Sequence, residues 1–496
     1  MVITPTEEIN KIVSLGAGPT SDRAVIKHEI LSFEQSRPYK IMQKGVDYYE
    51  GRHDILHVQR TMIGPDGSLE AVDNIPNEHI VDNIYADMVD KKVNYLLGKP
   101  IAVSSDDETY TATLEKILGS RFDRTLSMIG YDSINCGVGW LYIYYNDAGE
   151  LSFKRMKSTE IIPGWKDAEH TELEYIIRRY TVKYYDGRTE KGITRVEFYT
   201  LNGVDYYEYN VGTLAPVEPF HADYINAGGQ AMNWSKMPFI AFKFNGSEKP
   251  LIECCKSLQD GINTMASAFA NGMLEDPRNT ILVLVNYDGE DLAGFRHNLA
   301  TYGAVKVRSV DGVQGDVKTL QVEVNAENYK SIIKLFKDEM IERCHGFDAK
   351  DDRLGGTPNE MNIRSIYSNI DLDANKMELQ YQAAFEDLLW LIDMHLINCG
   401  MDDFSAIPVE FTFSRSIILN ESEMIDNVTK SIGVISTETA LAHHPWVDDV
   451  HTEMLRLEAQ QVREQSLIDV YDRTAFNGAN TDAGSADGDS NAEFSE

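Results

Sequence analysis

From Glu360 to Asn398 the chain contains neither proline nor glycine. Nothing in such a run breaks an α-helix, and at ~1.5 Å per residue the helix would extend roughly 58 Å. A helix of that length needs neighbours, because packing of an apolar face supplies most of the stability of helices in water. Ile366, Ile370, Leu388, Leu389, Leu391 and Ile392 give it more apolar surface than one thin subunit is expected to cover, so further copies are expected along it.

The rest of the 496-residue chain divides around this run. Its length predicts roughly three or four domains. Residues 1–40 read as one or two exposed helices. Val81, Ile84, Met88 and Leu96 give a helical pattern that stops at Gly98-Lys99-Pro100, and two more helical stretches end near Cys136-Gly137. Then the composition shifts. Residues 138–210 are rich in Tyr, Phe, Val and Ile, and Asn146-Asp147, Asp186-Gly187 and Asn202-Gly203 punctuate them as hairpin turns. One antiparallel sheet is expected, whose tyrosines form either cross-strand pairs or a stacking platform for sugars or bases. Helix returns at 248–274, followed by a βαββ insert over 275–325, helix over 326–344 and a Gly-rich break containing Gly355-Gly356. A short strand at Glu410–Ser414 and two or three helices over 421–473 complete the pattern; the fold class is α+β. The last segment, 474–496, carries acids but no Lys or Arg and is expected to stay unfolded.

Charge narrows the function. Asp and Glu number 79 against 46 Lys and Arg, a formal net charge of -33. A base-reading DNA-binding protein carries a basic face instead. Five cysteines, two of them adjacent at Cys254 and Cys255, are no disulfide framework, and a reducing compartment fits. The N-terminal residues show no secretory leader, and no apolar run reaches the ~18 residues of a membrane span.

Chemical motifs are scarce. No Gly-x-x-x-x-Gly-Lys-Ser/Thr occurs, and Gly98-Lys99-Pro100 lacks both the upstream glycine and the hydroxyl. Neither a Gly-x-Ser-x-Gly elbow nor a His-Glu-x-x-His helix is present, so no catalytic residue and no cofactor is expected. His443, His444 and His451 lie near Asp448 and Asp449, but adjacent histidines before Pro445 read as a helix boundary rather than a metal site. Asp371 and Asp373 flank Leu372 without an EF-hand pattern and read as a solvated or intersubunit face. One constellation stands out. Lys330, Lys334 and Lys337 are spaced to share a helix face, away from Ile332, Ile333, Phe336 and Met340. They form either a phosphate-contacting stripe or an ordinary solvated face offset by Asp338, Glu339 and Glu342.

The order of these segments resembles the portal proteins of tailed double-stranded DNA bacteriophages. Val89-Asp90-Lys91-Lys92-Val93-Asn94-Tyr95-Leu96-Leu97-Gly98-Lys99-Pro100, Gly228-Gly229-Gln230-Ala231 and Val285-Asn286-Tyr287-Asp288-Gly289-Glu290 are similar to strings in portals of long-tailed phages of Gram-positive hosts. So is Ile435-Ser436-Thr437-Glu438-Thr439-Ala440 ahead of Pro445-Trp446-Val447-Asp448-Asp449. The resemblance covers roughly residues 40–470. It implies a homo-oligomeric ring, usually a dodecamer, at one capsid vertex. Its central channel passes double-stranded DNA without sequence specificity during packaging and ejection. The wing would comprise 1–247 and 360–419, the stem helices 248–274 and 326–344, the clip 275–325, the tunnel loop 345–359 and the crown 420–473.

By the same resemblance Lys330, Lys334 and Lys337 face the channel, while Asp348, Lys350, Asp351, Asp352, Arg353, Gly355 and Gly356 form the tunnel loop. That loop is slightly acidic, which leaves open whether it grips DNA or only lines its path. Glu290, Asp291, Arg296 and His297 would meet terminase and then a head-completion connector. Scaffold and major capsid protein are the remaining partners implied, with no membrane; the chain would reside in the virion after assembly in the host cytoplasm. Twelve copies would carry roughly -400 charges, a field that repels DNA from most surfaces. Two other readings stay open: a tail-associated glycan-active enzyme and a protein-only scaffold or adaptor.

Overall fold

The computed structural model describes residues 22–63, 68–71, 76–210, 212–227, 229–275, 281–285, 316–320, 326–347, 360–415, 425, 428–447 and 450–463. The chain separates into two units, Met1–Ala349 with Ile366–Ser416, and Lys350–Ser365 with Ile417–Glu496.

In the first unit, α1 (Asp22–Gln35) and α2 (Arg37–Tyr49) open the fold. They are separated at Ser36, whose hydroxyl caps α2 by accepting from the N–H of Tyr39. These helices are not wholly exposed as expected: Ile26 and Ile30 are fully buried. A short hairpin, β1 (Thr61–Ile63) with β2 (Leu69–Ala71), follows. Helix α3 (Ile84–Leu97) starts at an Asn83 cap, and β3 (Ala102–Ser105) leads into α4 (Glu108–Cys136). The two helical stretches read from the sequence meet at Gly119, whose φ of 51° and ψ of 178° are not helical, so α4 is two helical pieces joined at a kink.

The Tyr-rich region forms two antiparallel sheets rather than one. Strands β4 (Val138–Tyr145) and β5 (Leu151–Met156) precede β6 (Ile161–Trp165), β7 (Leu173–Asp186), β8 (Thr189–Thr200), β9 (Gly203–Asn210) and β10 (Thr213–Ala222). A small hairpin, β11 (Ile225–Ala227) with β12 (Gln230–Met232), separates them from β13 (Phe239–Lys243). The sheet orders are β13-β4-β5 and β10-β9-β8-β7-β6. Neighbouring isoleucines in the larger sheet point to opposite faces, as strand geometry requires. Ile161 and Ile176 pack with Trp140 and Phe239 of the smaller sheet, while Ile162 and Ile177 pack with Ile26 and Ile30 of α1. The larger sheet is therefore covered on both faces. Tyr199 and Tyr207 are buried and pair edge-on with Phe239 and Phe220, so these rings belong to the core and not to a stacking platform.

Two helices, α5 (Ile252–Glu275) and α6 (Ala326–Arg343), flank the insert. Within the insert β14 (Ile281–Val285) pairs antiparallel with β15 (Asp316–Leu320). Helix α7 (Glu360–Asn398) runs 39 residues, as the absence of helix breakers predicts. Much of its apolar face is covered within this chain, while Leu372 and Leu379 stay exposed. Ile370, Phe385, Leu388, Leu391 and Ile392 are buried within this chain. Phe385 stacks on Phe411 at 4.3 Å and meets Phe242 of β13 at 5.7 Å. Strand β16 (Val409–Thr412), which supplies Phe411, pairs with β3 from more than 300 residues earlier. In the second unit α8 (Thr437–Ala442) is capped by Ser436, and His443 ends it, in agreement with the boundary reading of the histidines. Helix also spans 450–463. The terminal segment 474–496 lies outside the described residues.

Helix α2 crosses α4 at Gly45, where a Cβ would sit 2.0 Å from the Asn135 carbonyl oxygen. Gly45→Ala must push two backbones apart and is expected to cost about 1–3 kcal/mol in denaturant unfolding. Gly246→Ala, whose Cβ would meet nothing nearer than 3.9 Å, is the comparison. Equal stability for the two variants would show that the close approach is not limiting.

Candidate nucleic-acid interface

The site begins with α5. Its outer turns carry apolar residues, but Gln259, Asn263, Ser267 and Asn271 repeat every fourth position and are all buried. Residues four apart share a helix face. Each of these side chains reaches the backbone of 78–85, the segment running into α3. Asn271 accepts from the Glu78 N–H at 2.7 Å and donates to its carbonyl at 3.1 Å. Ser267 accepts from Ile80 N–H at 2.9 Å, and Asn263 from Asp82 N–H at 3.0 Å. Gln259 donates to the Asp82 carbonyl at 2.7 Å and accepts from Tyr85 N–H at 3.1 Å. The match is geometric: four helical residues rise about 6.0 Å and two extended residues span about 6.6 Å. The alternate N–H groups of Glu78, Ile80 and Asp82 thus meet successive turns of α5, and Gln259 takes Tyr85 in the first turn of α3.

The Asn263 amide also settles a tautomer. Its oxygen takes the Asp82 N–H, so its NH₂ donates to His53 Nδ1 at 2.7 Å. His53 therefore carries its proton on Nε2, which donates to the Tyr48 carbonyl at 3.0 Å. Burial holds the His53 pKa below its ordinary value, in keeping with a neutral ring.

Helix α6 packs along α5. Gly261 lets Phe336 approach, since a Cβ there would lie 3.1 Å from the ring, and Phe269 meets Tyr329 at 5.2 Å. Met340 is fully buried. The three lysines do not share one environment. Lys330 and Lys334 are exposed. Lys337 instead pairs with Asp82 at 2.7 Å, on the segment that α5 holds.

At the C-terminal end of α6 the chain enters a polar junction. His345, at φ 47°, places Nδ1 2.8 Å from Asp373 Oδ1 on α7. Lys92 of α3 donates to Asp373 Oδ2 at 2.7 Å and to the His345 carbonyl at 3.2 Å. Lys92 is only 4% exposed and Asp373 11%. Burial would raise the Asp373 pKa, but Lys92 and His345 outweigh it and hold the carboxyl below its usual range. Asp371 accepts from Tyr95 and from Arg415, each at 2.6 Å. Asp371 and Asp373 are thus each ion-paired within the chain, with Arg415 and Lys92 respectively; the buried pairing of Asp373 corrects the expectation of a solvated face there. Leu372 between them is half exposed.

The tunnel-loop residues Asp348, Lys350, Asp351, Asp352, Arg353, Gly355 and Gly356 lie outside the described residues, as do the insert residues Glu290, Asp291, Arg296 and His297. Among the described residues, no group of three His, Cys, Asp or Glu could hold a metal ion, and no helix is long and apolar enough to cross a membrane. The polar row on α5 is hidden in the sequence by the more conspicuous apolar positions Leu251, Ile252, Leu258, Ile262 and Met265 of the same helix. Its signal was present as Gln-x-x-x-Asn-x-x-x-Ser-x-x-x-Asn.

Comparison with known proteins bears on this arrangement. The family model described as phage portal protein, SPP1 Gp6-like, matches residues 29–477. The chain is similar to the portal protein of Bacillus phage SPP1, with 27% identity over 471 residues covering 92% of this chain and 90% of that one. It is also similar to the portal protein of Clostridium phage phiCD119, with 27% identity over 455 residues, 89% of this chain and 97% of the other.

Two measurements check the anchorage. Asn263→Leu leaves the Asp82 N–H unpaired and is expected to lower unfolding stability by about 1–3 kcal/mol; an unchanged denaturation midpoint would mean the row holds nothing. The depressed Asp373 pKa implies stability that is full above the unfolded value, about 3.9, and lost as pH falls through the lower folded value. Asp373→Asn should therefore flatten the acid limb of a Tm-against-pH curve. An acid limb as steep as that of the unaltered protein would assign the loss to other carboxylates.

Proposed function

Since the chain belongs to the phage portal protein family of the SPP1 Gp6 type, we propose that copies of it close into a ring, a dodecamer, whose α5 and α6 line a central channel for double-stranded DNA. Family membership gives the chain the role of a phage portal in DNA packaging and makes it a component of the virion. The family is one of structural phage components rather than of enzymes.

The observation that carries the channel reading is the division of labour on α6. The apolar side, with Phe336 and Met340, packs on α5 and the body of the fold. On the lysine side Lys337 is paired with Asp82, while Lys330 and Lys334 stay in the open. Lysines on a supported helix attract phosphate without reading bases, because the contact is to charge alone. A net charge of -33 elsewhere discourages tight binding. Together these suit a conduit that DNA slides through.

In this reading 1–247 and 360–419 form the wing, 248–274 and 326–344 the stem, 275–325 the clip, 345–359 the tunnel loop and 420–473 the crown. Glu290, Asp291, Arg296 and His297 of the clip meet terminase, which supplies ATP hydrolysis, and later the head-completion connector. Scaffold and major capsid protein surround the ring in the host cytoplasm before the virion is complete. The junction of Lys92, His345 and Asp373 supports this assignment of the tunnel loop, because it anchors the chain just before residue 348.

Negative-stain images of the purified full-length chain should show rings with a central hole; monomers or trimers alone would overturn the assembly. Lys330→Gln with Lys334→Gln should leave rings intact and change the salt dependence of packaging, since each lost phosphate contact removes about 0.9 from the log–log salt slope. Packaging indifferent to both changes at every salt concentration would take these lysines out of the path of DNA.

A further inference from the structure

The larger sheet has a limb that its own chain leaves bare. Strand β6 accompanies β7 only as far as Arg178, and β9 accompanies β8 only from Thr194 onward. Beyond them β7 and β8 continue as a lone ribbon through five cross-strand pairs, from Val182↔Ile193 to Asp186↔Thr189. That is about 17 Å of two-stranded sheet. Residues 181–192 are exposed on both faces. Val182 is 44% exposed, Tyr184 40% and Tyr185 73%. A two-stranded ribbon in water is marginal by itself, and exposed tyrosines of this kind are common anchors at protein interfaces.

The charge of the limb names its partner. Residues 181–194 hold Lys183, Arg188 and Lys191 against Asp186 and Glu190, a net positive tip on a chain of net charge -33. Lys183 pairs with Glu190 at 2.6 Å, and Lys191 with Asp186. Among the described residues no carboxylate pairs with Arg188, which sits at the turn beside Gly187, where φ is 64°. A basic tip with aromatic sides complements an acidic protein surface, and the surface present in every copy is that of the chain itself.

We propose that the β7–β8 limb is an intersubunit arm. It reaches into a neighbouring copy that covers both faces of the ribbon, Val182 and Tyr184 on one and Tyr185 on the other, and brings Arg188 to acidic side chains there. The proposal rests on the ring assembly above and adds to it a named element that joins one subunit to the next. It also explains how strongly acidic copies associate at all: a small basic arm offsets part of their mutual repulsion where they touch.

The test uses the full-length chain with the photoreactive residue p-benzoylphenylalanine in place of Tyr185. Illumination of purified rings should give a ladder of covalent dimers and higher species. Rings seen by microscopy that yield only monomers after illumination would overturn the arm while leaving the ring reading intact. A sample without rings would remove both. Crosslinks formed only with capsid protein in procapsids would give the limb to the capsid and overturn the proposal. As a second variant, Tyr184→Glu with Tyr185→Glu should keep the circular dichroism and monomer melting of the unaltered chain, because these side chains are exposed. Its rings should dissociate at a protein concentration higher by about tenfold or more; unchanged dissociation would count against the arm.

Discussion

A helix of 39 residues imposes its need for cover on the rest of the chain. Helix α7 presents a continuous apolar side, and the fold brings distant segments to it. Phe242 comes from the smaller sheet, and Phe411 from a strand that itself borrows β3 as its partner. Tyr110 of α4 donates to Asp393 near the far end of α7 at 2.6 Å. Lys92 of α3 reaches Asp373. Each of these contacts removes apolar or charged surface of α7 from water, and the elements that make them become fixed relative to one another. The helices and sheets around α7 can thus be understood as a cradle for one long helix.

The second constraint is polar. Backbone N–H groups of an irregular segment need partners when buried, because an unpaired donor costs about as much as a lost hydrogen bond. Among the described residues no strand pairs with 78–85. Helix α5 supplies the partners through side chains, with amides and a hydroxyl at four-residue intervals. On the lysine face of α6, Lys337 reaches Asp82 of this segment, while Lys330 and Lys334 remain exposed. The same helix therefore carries one ion-paired lysine and two exposed ones a turn or two apart.

Electrostatics connects the two scales. Within one chain, ion pairs such as Lys92 with Asp373 and Arg178 with Glu160 and Glu197 neutralise buried charge locally. Across the surface the acids dominate, so the few exposed basic places matter more than their number implies. On α6 they face a polyanion in the proposed channel. In the proposed arm, those of the β7–β8 limb face another acidic copy. In both cases long-range repulsion supplies selectivity, since contact is favoured only where a basic group relieves it.

What could be read from the sequence was local. The bounds of α7 follow from the absence of proline and glycine, and the hairpin turns at Asp186-Gly187 and Asn202-Gly203 from glycines that tolerate positive φ. The exposure of Lys330 and Lys334 was legible in their spacing, and the ordered strings pointed to the family. What the tertiary structure decided was partnership. Alternating residues in 138–210 announce strands but not how many sheets they make, because pairing joins segments whose separation no period records. Asp373 looked solvated until Lys92, 281 residues away, was brought against it. Lys337 shared a face with two other lysines by period, yet Asp82 drew it away. Periodicity tells which side of a helix or strand a residue occupies; only the folded chain determines what stands opposite that side, and the opposing group sets whether a charge is buried, paired or free.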